Sequence, residues 1–167
     1  MPLESDRTES SELLPQGTRI THYVLTTMLG RGGMGMVYLA RDVDLDRDVA
    51  LKLLPRRFCQ DIQSLVRFKH EARTIAQLNH PNIVTVHEVG EYGNQPFIAM
   101  EYIEGKTVAD YCTDRHLPLE QFLELAIQIS EGLHEAHSRG IIHQDLKPSN
   151  IVVNTRGSIK ILDFGLS

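Results

Sequence analysis

The stretch "LGRGGMGMVYLA", Leu29 to Ala40, places Gly30, Gly32 and Gly35 in a G-x-G-x-x-G spacing directly ahead of strand-forming residues. Glycine lets backbone N–H groups approach phosphate oxygens where a side chain would intervene, so the spacing fits a phosphate-binding loop. Taken alone it fits an ordinary hairpin turn equally well. The residues after the glycines discriminate between nucleotide-binding folds. A dinucleotide-binding fingerprint opens a helix, with the pyrophosphate at its N-terminus and an acid about 20 residues on. Here Val37, Tyr38 and Leu39 continue as a β-branched and aromatic strand, so Asp48 has no such unit to serve despite its suitable distance. No Gly-Lys-Ser/Thr closes the loop, which excludes a Walker A motif. The glycines therefore join two strands.

Outward from the loop, "ITHYVLTTML", "MGMVYLARD" and "DVALKLLP" read as three antiparallel strands, the last two separated by the polar turn "VDLDRD". In "SLVRFKHEARTIAQL" the apolar residues Leu65, Phe68, Ala72, Ile75 and Leu78 recur at helical spacing, and "NHPN" ends the helix; its apolar stripe is expected to face the sheet. "IVTVHEVGEY" and "QPFIAMEY" add two strands around the turn "GEYGNQ". Beyond them "GKTVADYCTDR" reads as a short helix and "LEQFLELAIQISEGLHEAHSRG" as a long one, with Phe122, Leu125, Ala126, Ile129, Leu133 and Ala136 on one side. Gly140 stands where a C-terminal glycine cap belongs. "NIVVN" and "SIKILDF" are two short final strands.

Composition narrows the functional classes. Among 167 residues, 41% are hydrophobic and 23% charged, the balance of a packed globular chain. With 17 Lys+Arg against 22 Asp+Glu and no clustered basic face, nucleic-acid binding is not expected. Cys59 and Cys112 lie far apart with no metal-ligand spacing, which suits a reducing, cytoplasmic setting. Residues 1–17 are polar and acidic, with neither the basic start nor the apolar run of a secretory signal, and read as a flexible leader. No apolar run reaches the roughly 20 residues that a membrane span needs.

Two further features carry chemistry. Lys52 stands in the apolar run "VALKLL", where its ammonium either snorkels to the surface or meets an anion, with Glu71 of the following helix the candidate. Glu71 could equally be a solvated helix acid. In "HQDLKPSN", His143 to Asn150, Asp145 could accept a proton, Lys147 could neutralise a transferring phosphoryl group, and Asn150 could ligate a hard cation through its amide oxygen. Asp163 of "DFG" adds a carboxylate. Each of these residues is also ordinary in turns. Their coincidence in kind, order and spacing is not.

Taken together, the motifs resemble those of the eukaryotic-like protein kinases. "GRGGMGMVYLARD" and "FKHEARTIAQLNHPNIV" are especially similar to the bacterial Ser/Thr kinases of that superfamily, and "HQDLKPSN" to the Ser/Thr form of the catalytic loop. The resemblance spans roughly Ile20 to Ser167. It implies an α+β, protein-kinase-like fold, with a complete small lobe (18–102) of a five-stranded antiparallel sheet plus one helix. The first part of a helical large lobe (103–167) comes after it. It also implies that ATP is covered by the loop of Leu29, Gly30, Arg31, Gly32, Gly33, Met34, Gly35 and Met36, and that Val37, Ala50 and Val152 sandwich adenine. Met100 then matches the gatekeeper, and Glu101 to Ile103 the hinge whose backbone meets the adenine edge. Lys52 would pair with Glu71. Asp145 would be the catalytic base, Lys147 the γ-phosphate contact, and Asn150 and Asp163 the Mg²⁺ ligands, with His143 a structural support.

The expected reaction is transfer of the ATP γ-phosphoryl to a Ser or Thr hydroxyl of a protein substrate. The alternatives are a truncated nucleotide-binding pseudokinase or regulatory fragment without turnover, and a small-molecule kinase of related fold. Two departures from the family pattern stand out. Gln144 replaces the usual arginine of His-Arg-Asp, so it cannot supply a charge-assisted bidentate bond to an activation-loop phosphate. The sequence also ends after "DFGLS", ahead of the activation segment, the Ala-Pro-Glu element and the later helices. The long helix is therefore expected to keep apolar surface uncovered.

Overall fold

A computed structural model describes residues 13–32, 35–55, 62–113 and 117–164. The chain runs β1 (Arg19–Ile20), β2 (Tyr23–Gly32), β3 (Gly35–Asp42), β4 (Arg47–Leu53), α1 (Ile62–Ile75), β5 (Val86–Tyr92) and β6 (Gln95–Glu101). It continues as β7 (Gly105–Thr107), α2 (Val108–Thr113), α3 (Leu119–Ser138), β8 (Ile151–Asn154) and β9 (Ile159–Ile161).

The first six strands form one antiparallel sheet in the order β1-β2-β3-β4-β6-β5. The expected five strands are all present, and β1 is an addition. This two-residue strand lies too close to β2 for periodicity to separate it. Pairing of β2 with β3 runs through the glycines, with Gly30 opposite Val37 and Gly32 opposite Gly35, so the stretch is itself ladder. The turn at 43–48 closes because Asp42 Oδ1 accepts the N–H groups of Asp44 and Leu45 at 3.2 and 3.1 Å.

Both faces of this sheet are buried. Strict alternation on β3 sends Met36, Tyr38, Ala40 and Asp42 to one side. There the three apolar residues join Tyr23, Leu25, Val49, Leu51, Leu53 and Phe97 in a core built wholly from strands. The opposite face carries Ala50, Ile98 and Met100 against Phe68 and Ala72 of α1, as the helical stripe predicts. Residues 1–12 of the expected leader lie outside the described residues. Residues 13–17 are held to the sheet: Leu14 packs on the strand core, its N–H donates to the Tyr38 hydroxyl, and Gly17 N–H donates to Leu25 C=O.

The second half holds a three-stranded sheet, β7-β8-β9, against α3. "GKT" was expected in the short helix but is strand, because Gly105–Thr107 pairs with Val152–Asn154 and the helix begins at Val108. Thr107 caps that helix, its hydroxyl accepting the Asp110 N–H at 3.1 Å and donating to the Asp110 carboxylate at 2.6 Å. Gly140, at φ +73, ends α3 as expected: its N–H donates to His137 C=O while Ile141 N–H reaches back to Ala136 C=O.

On α3 the buried residues are Leu125, Gly132 and Ala136, whereas Phe122 is 56% exposed despite its place in the expected stripe. The apolar arc of α3 is wider than the surface that β9 and residues 82–84 cover. Phe122 therefore stays outside the contact with Leu119, Leu123 and Ile127, which are also exposed.

The two halves are joined by an extra parallel bridge. Ile161 N–H donates to Asn82 C=O at 2.8 Å and Val84 N–H to Ile161 C=O at 3.0 Å, so residues 82–84 act as a further strand beside β9. The Asn82 amide donates to Gln128 Oε1 and to Ile159 C=O, and Gln128 Oε1 also accepts the Ile159 N–H. These contacts carry β9 across to the first sheet.

Candidate active site

Sheet register decides which side chains of the first half share a face. Val37 lies opposite Lys52, Lys52 opposite Ile98, and Ala50 opposite Met100, so Val37, Ala50, Lys52 and Met100 all point the same way. Met36 points the other way into the strand core at 3% exposure, so of that residue only the backbone faces the loop. Leu29 and Arg31 are exposed. Gly33 and Met34 lie outside the described residues, as does the Glu71 side chain, so the expected Lys52–Glu71 pair does too.

Lys52 makes a further contact that sequence reasoning missed. Its buried ammonium donates to Asp163 Oδ1 at 2.8 Å, joining β4 to the segment after β9. Asp163 adopts φ +56, a left-handed conformation that aspartate tolerates better than most residues. The residue before it is clamped from both sides: Leu162 N–H donates to Asn150 C=O at 2.8 Å, and Leu162 C=O accepts from His143 Nε2 at 2.7 Å.

The same imidazole accepts the Asp145 N–H at Nδ1, 3.3 Å away, and its ring lies 4.6 Å from that of buried Phe164. With Nε2 donating and Nδ1 accepting, His143 is a neutral strut. The segment 143–150 folds around Asp145. Lys147 Nζ lies 2.6 Å from Asp145 Oδ2, and the Asn150 amide donates to the same oxygen at 3.2 Å and to the Asp145 carbonyl at 2.9 Å. The Lys147 ammonium holds the Asp145 carboxyl below the usual carboxylate range, against some loss of hydration, with Asn150 reinforcing it.

On β8, Ile151 and Val153 enter the second core. Alternation therefore turns Val152 to the other side, where its cross-strand partner is Lys160. Thus one chain of contacts links the sheet face of the first half, Asp163 and the 143–150 loop.

The protein kinase domain profile matches residues 23–167. The chain belongs to the protein kinase family. It is similar to the serine/threonine-protein kinase PknB of Mycobacterium leprae, 42% identical over 150 residues, covering 87% of this chain and 24% of that one. It is also similar to the serine/threonine-protein kinase PrkC of Bacillus subtilis, 40% identical over 153 residues and covering 90% and 24%. The chain thus spans about a quarter of the length of these relatives. Among solved structures it superposes on the Mycobacterium tuberculosis PknI kinase domain with a TM-score of 0.84 and 33% identity, covering 93% of this chain and 65% of that one.

Protein kinases use ATP and Mg²⁺, and the donor set suits them. Asp163 offers a carboxylate, and Asn150, whose NH₂ is committed to Asp145, offers its amide oxygen. No cluster of three His, Cys, Asp or Glu among the described residues could enclose a cation alone. Two hard oxygen donors with no enclosing cage match an ion that keeps its waters and leans on substrate phosphates.

The glycines of the kinase loop divide by role. A Cβ at Gly30 or Gly32 meets nothing within 4 Å, whereas at Gly35, at φ +113, it would lie 2.0 Å from the Leu53 carbonyl oxygen. Gly35→Ala is therefore expected to destabilise the chain by about 2 kcal/mol, roughly 4–8 °C in melting temperature. Gly30→Ala and Gly32→Ala should melt within about 2 °C of the parent and show their effect in nucleotide affinity. Equal melting of all three variants would contradict this division.

Proposed function

We propose that this chain forms the nucleotide cleft and catalytic loop of an ATP-dependent protein Ser/Thr kinase, with the small lobe over 18–102 and the large lobe from 103. The observation that carries the reading is the convergence of Lys52, Asp163 and the Asp145–Lys147–Asn150 loop through the Leu162 clamp. Bound Mg·ATP supplies the γ-phosphoryl group and the charge that neutralises it.

The chain's own residues bind, orient and move a proton. Val37, Ala50 and Val152 enclose the base, Met100 lines its inner end, and the backbone of Glu101 to Ile103 meets its edge. The glycine loop offers N–H groups to the phosphates, and Lys52 holds Asp163 while facing them. Both side-chain contacts of Asp145 fall on Oδ2. Oδ1 is then the oxygen that takes the proton of a Ser or Thr hydroxyl, while Lys147 steadies the phosphoryl oxygens. The sequence carries Lys52, Asp145, Asn150 and Asp163, the residues such a transfer uses, which disfavours a pseudokinase.

No helix among the described residues is long and apolar enough to cross a membrane. We assign the domain to the cytoplasm, where ATP is supplied. Two measurements test the proposal: titration of ATP with and without Mg²⁺, and phosphoamino-acid analysis of a protein substrate phosphorylated by the full-length protein. Tight Mg²⁺-dependent binding with phosphoserine or phosphothreonine is expected. Phosphotyrosine alone, or no binding, would refute it.

Gln144 is exposed at φ +66 beside Asp145. A neutral amide makes no charge-assisted pair with a phosphate. The full-length protein is therefore expected to transfer phosphate equally well, within about twofold, before and after phosphatase treatment, and Gln144→Arg to make it phosphatase-sensitive. A large loss of the parent's activity on dephosphorylation would reject this.

A further inference from the structure

Lys160 is a charged residue in the apolar run "SIKILDF", the same anomaly that marks Lys52, and the cleft described above gives it no role. It sits on β9 opposite Val152, with only 17% of its side chain exposed. Its ammonium lies 2.8 Å from Glu101 Oε2 and 3.2 Å from the Ile83 carbonyl oxygen. The same Glu101 oxygen accepts the Thr85 N–H at 3.3 Å, and Glu101 N–H donates to Thr85 C=O at 2.9 Å.

Three segments are thereby gathered on one ammonium: β9 of the second half, the connecting strand at 83–85, and the last residue of β6. Glu101 is where the first sheet ends, and its backbone leads directly into the link to β7. A carboxylate only 32% exposed and held by two donors cannot swing freely. The position of Glu101, the first residue of the link to β7, is therefore set by a cation on the strand that also leads to Asp163.

We propose that Lys160 and Glu101 form a clasp between the two halves that positions the hinge for the adenine ring, making Lys160 a positioning residue for nucleotide recognition. The inference rests on the kinase reading above. The clasp acts on the base and not on the phosphates, because Lys160 reaches the hinge while Lys52 and Asp163 face the metal and phosphate side. Loss of the pair loosens adenine recognition and leaves the Mg²⁺ dependence intact.

The test measures the affinities of adenosine and of Mg·ATP for the 167-residue chain and for Lys160→Met, Lys160→Arg, Glu101→Gln and the Lys160→Met/Glu101→Gln double variant. Lys160→Met is expected to weaken both ligands by the same factor, about tenfold. Lys160→Arg should keep parental affinity, and the double variant should bind no worse than either single one, as for two halves of one contact. In the full-length protein KM for ATP should rise with kcat unchanged.

Unchanged adenosine affinity in Lys160→Met, a loss confined to ATP, or additive losses in the double variant would each overturn the clasp. If Lys160→Met fails to fold, Glu101→Gln carries the same expectation, since it keeps the Thr85 acceptor and removes only the charge. A parent chain that binds neither ligand would refute the kinase reading, and the clasp as a nucleotide device falls with it. A parent that binds both ligands beside unaffected variants refutes the clasp alone.

Discussion

Asp145→Asn is expected to lower phosphoryl transfer by about three orders of magnitude while nucleotide affinity stays within about twofold of the parent. The amide is isosteric and still accepts from Lys147 and Asn150 through its oxygen, so the 143–150 loop keeps its shape. It has no basic oxygen to take the hydroxyl proton. A measured loss below about tenfold would mean that Asp145 orients the acceptor without removing its proton. The pH dependence offers an independent check. Because Lys147 keeps the carboxyl below its ordinary range, the proposed base is expected to be ionised across neutral pH. The acid limb of the rate profile therefore lies below the usual carboxylate range. Lys147→Met removes the ammonium, so protonation becomes easier and the acid limb moves to higher pH. A limb that moves down, or stays in place, would show that Lys147 does not set the charge state of Asp145.

Asp163→Asn is expected to destabilise the chain more than Lys52→Met, although each removes one partner of the same ion pair. The asymmetry comes from burial: the Lys52 side chain is 3% exposed and that of Asp163 is 22% exposed. Taking the charge from Asp163 removes the counter-ion that the described residues give this ammonium, where water scarcely reaches, at a cost of about 3 kcal/mol. For a chain of this size that is roughly 6–12 °C in melting temperature. Asparagine is the right replacement because it tolerates the left-handed backbone at this position and keeps the side-chain shape. Removing Lys52 leaves a carboxylate with access to water, and the cost falls to about 1 kcal/mol. The two variants also differ in ligand binding. Asp163→Asn should abolish the gain in ATP affinity produced by Mg²⁺, whereas Lys52→Met should weaken ATP binding with and without the ion. Thermal melts in the reverse order would show that the pair's stability does not track its burial.

Much of the first half was legible because its signals are local. The strand run of β3, the polar turn after it and the helical recurrence of Phe68 and Ala72 each depend on residues a few positions apart, and each appears where the pattern puts it, whereas Ile75 of the same stripe packs into the second core. The glycine motif showed that two strands are joined, but not that Gly35 is required by the fold itself. That requirement comes from the Leu53 carbonyl, which reaches Gly35 only after β3 and β4 pair. β1 escaped notice because two residues carry no period, and strand Gly105–Thr107 because its partner lies more than 40 residues on. Phe122 was assigned to the buried side because a helix's periodicity shows which residues share a face, not how much of that face a neighbour covers.

By itself the sequence determined the chemical groups: a glycine ladder, a lysine in an apolar strand, and an acid, amine and amide within one short loop, with Asp163 beyond it. Those groups depend on composition and spacing, which are properties of the chain before it folds. Only the tertiary structure decided how they are connected: Lys52 to Asp163, His143 to Leu162, and Lys160 to Glu101. Each of these contacts joins residues distant in sequence. Partner choice among distant residues depends on strand register and on which halves pack together, and that is settled by burial over the whole chain.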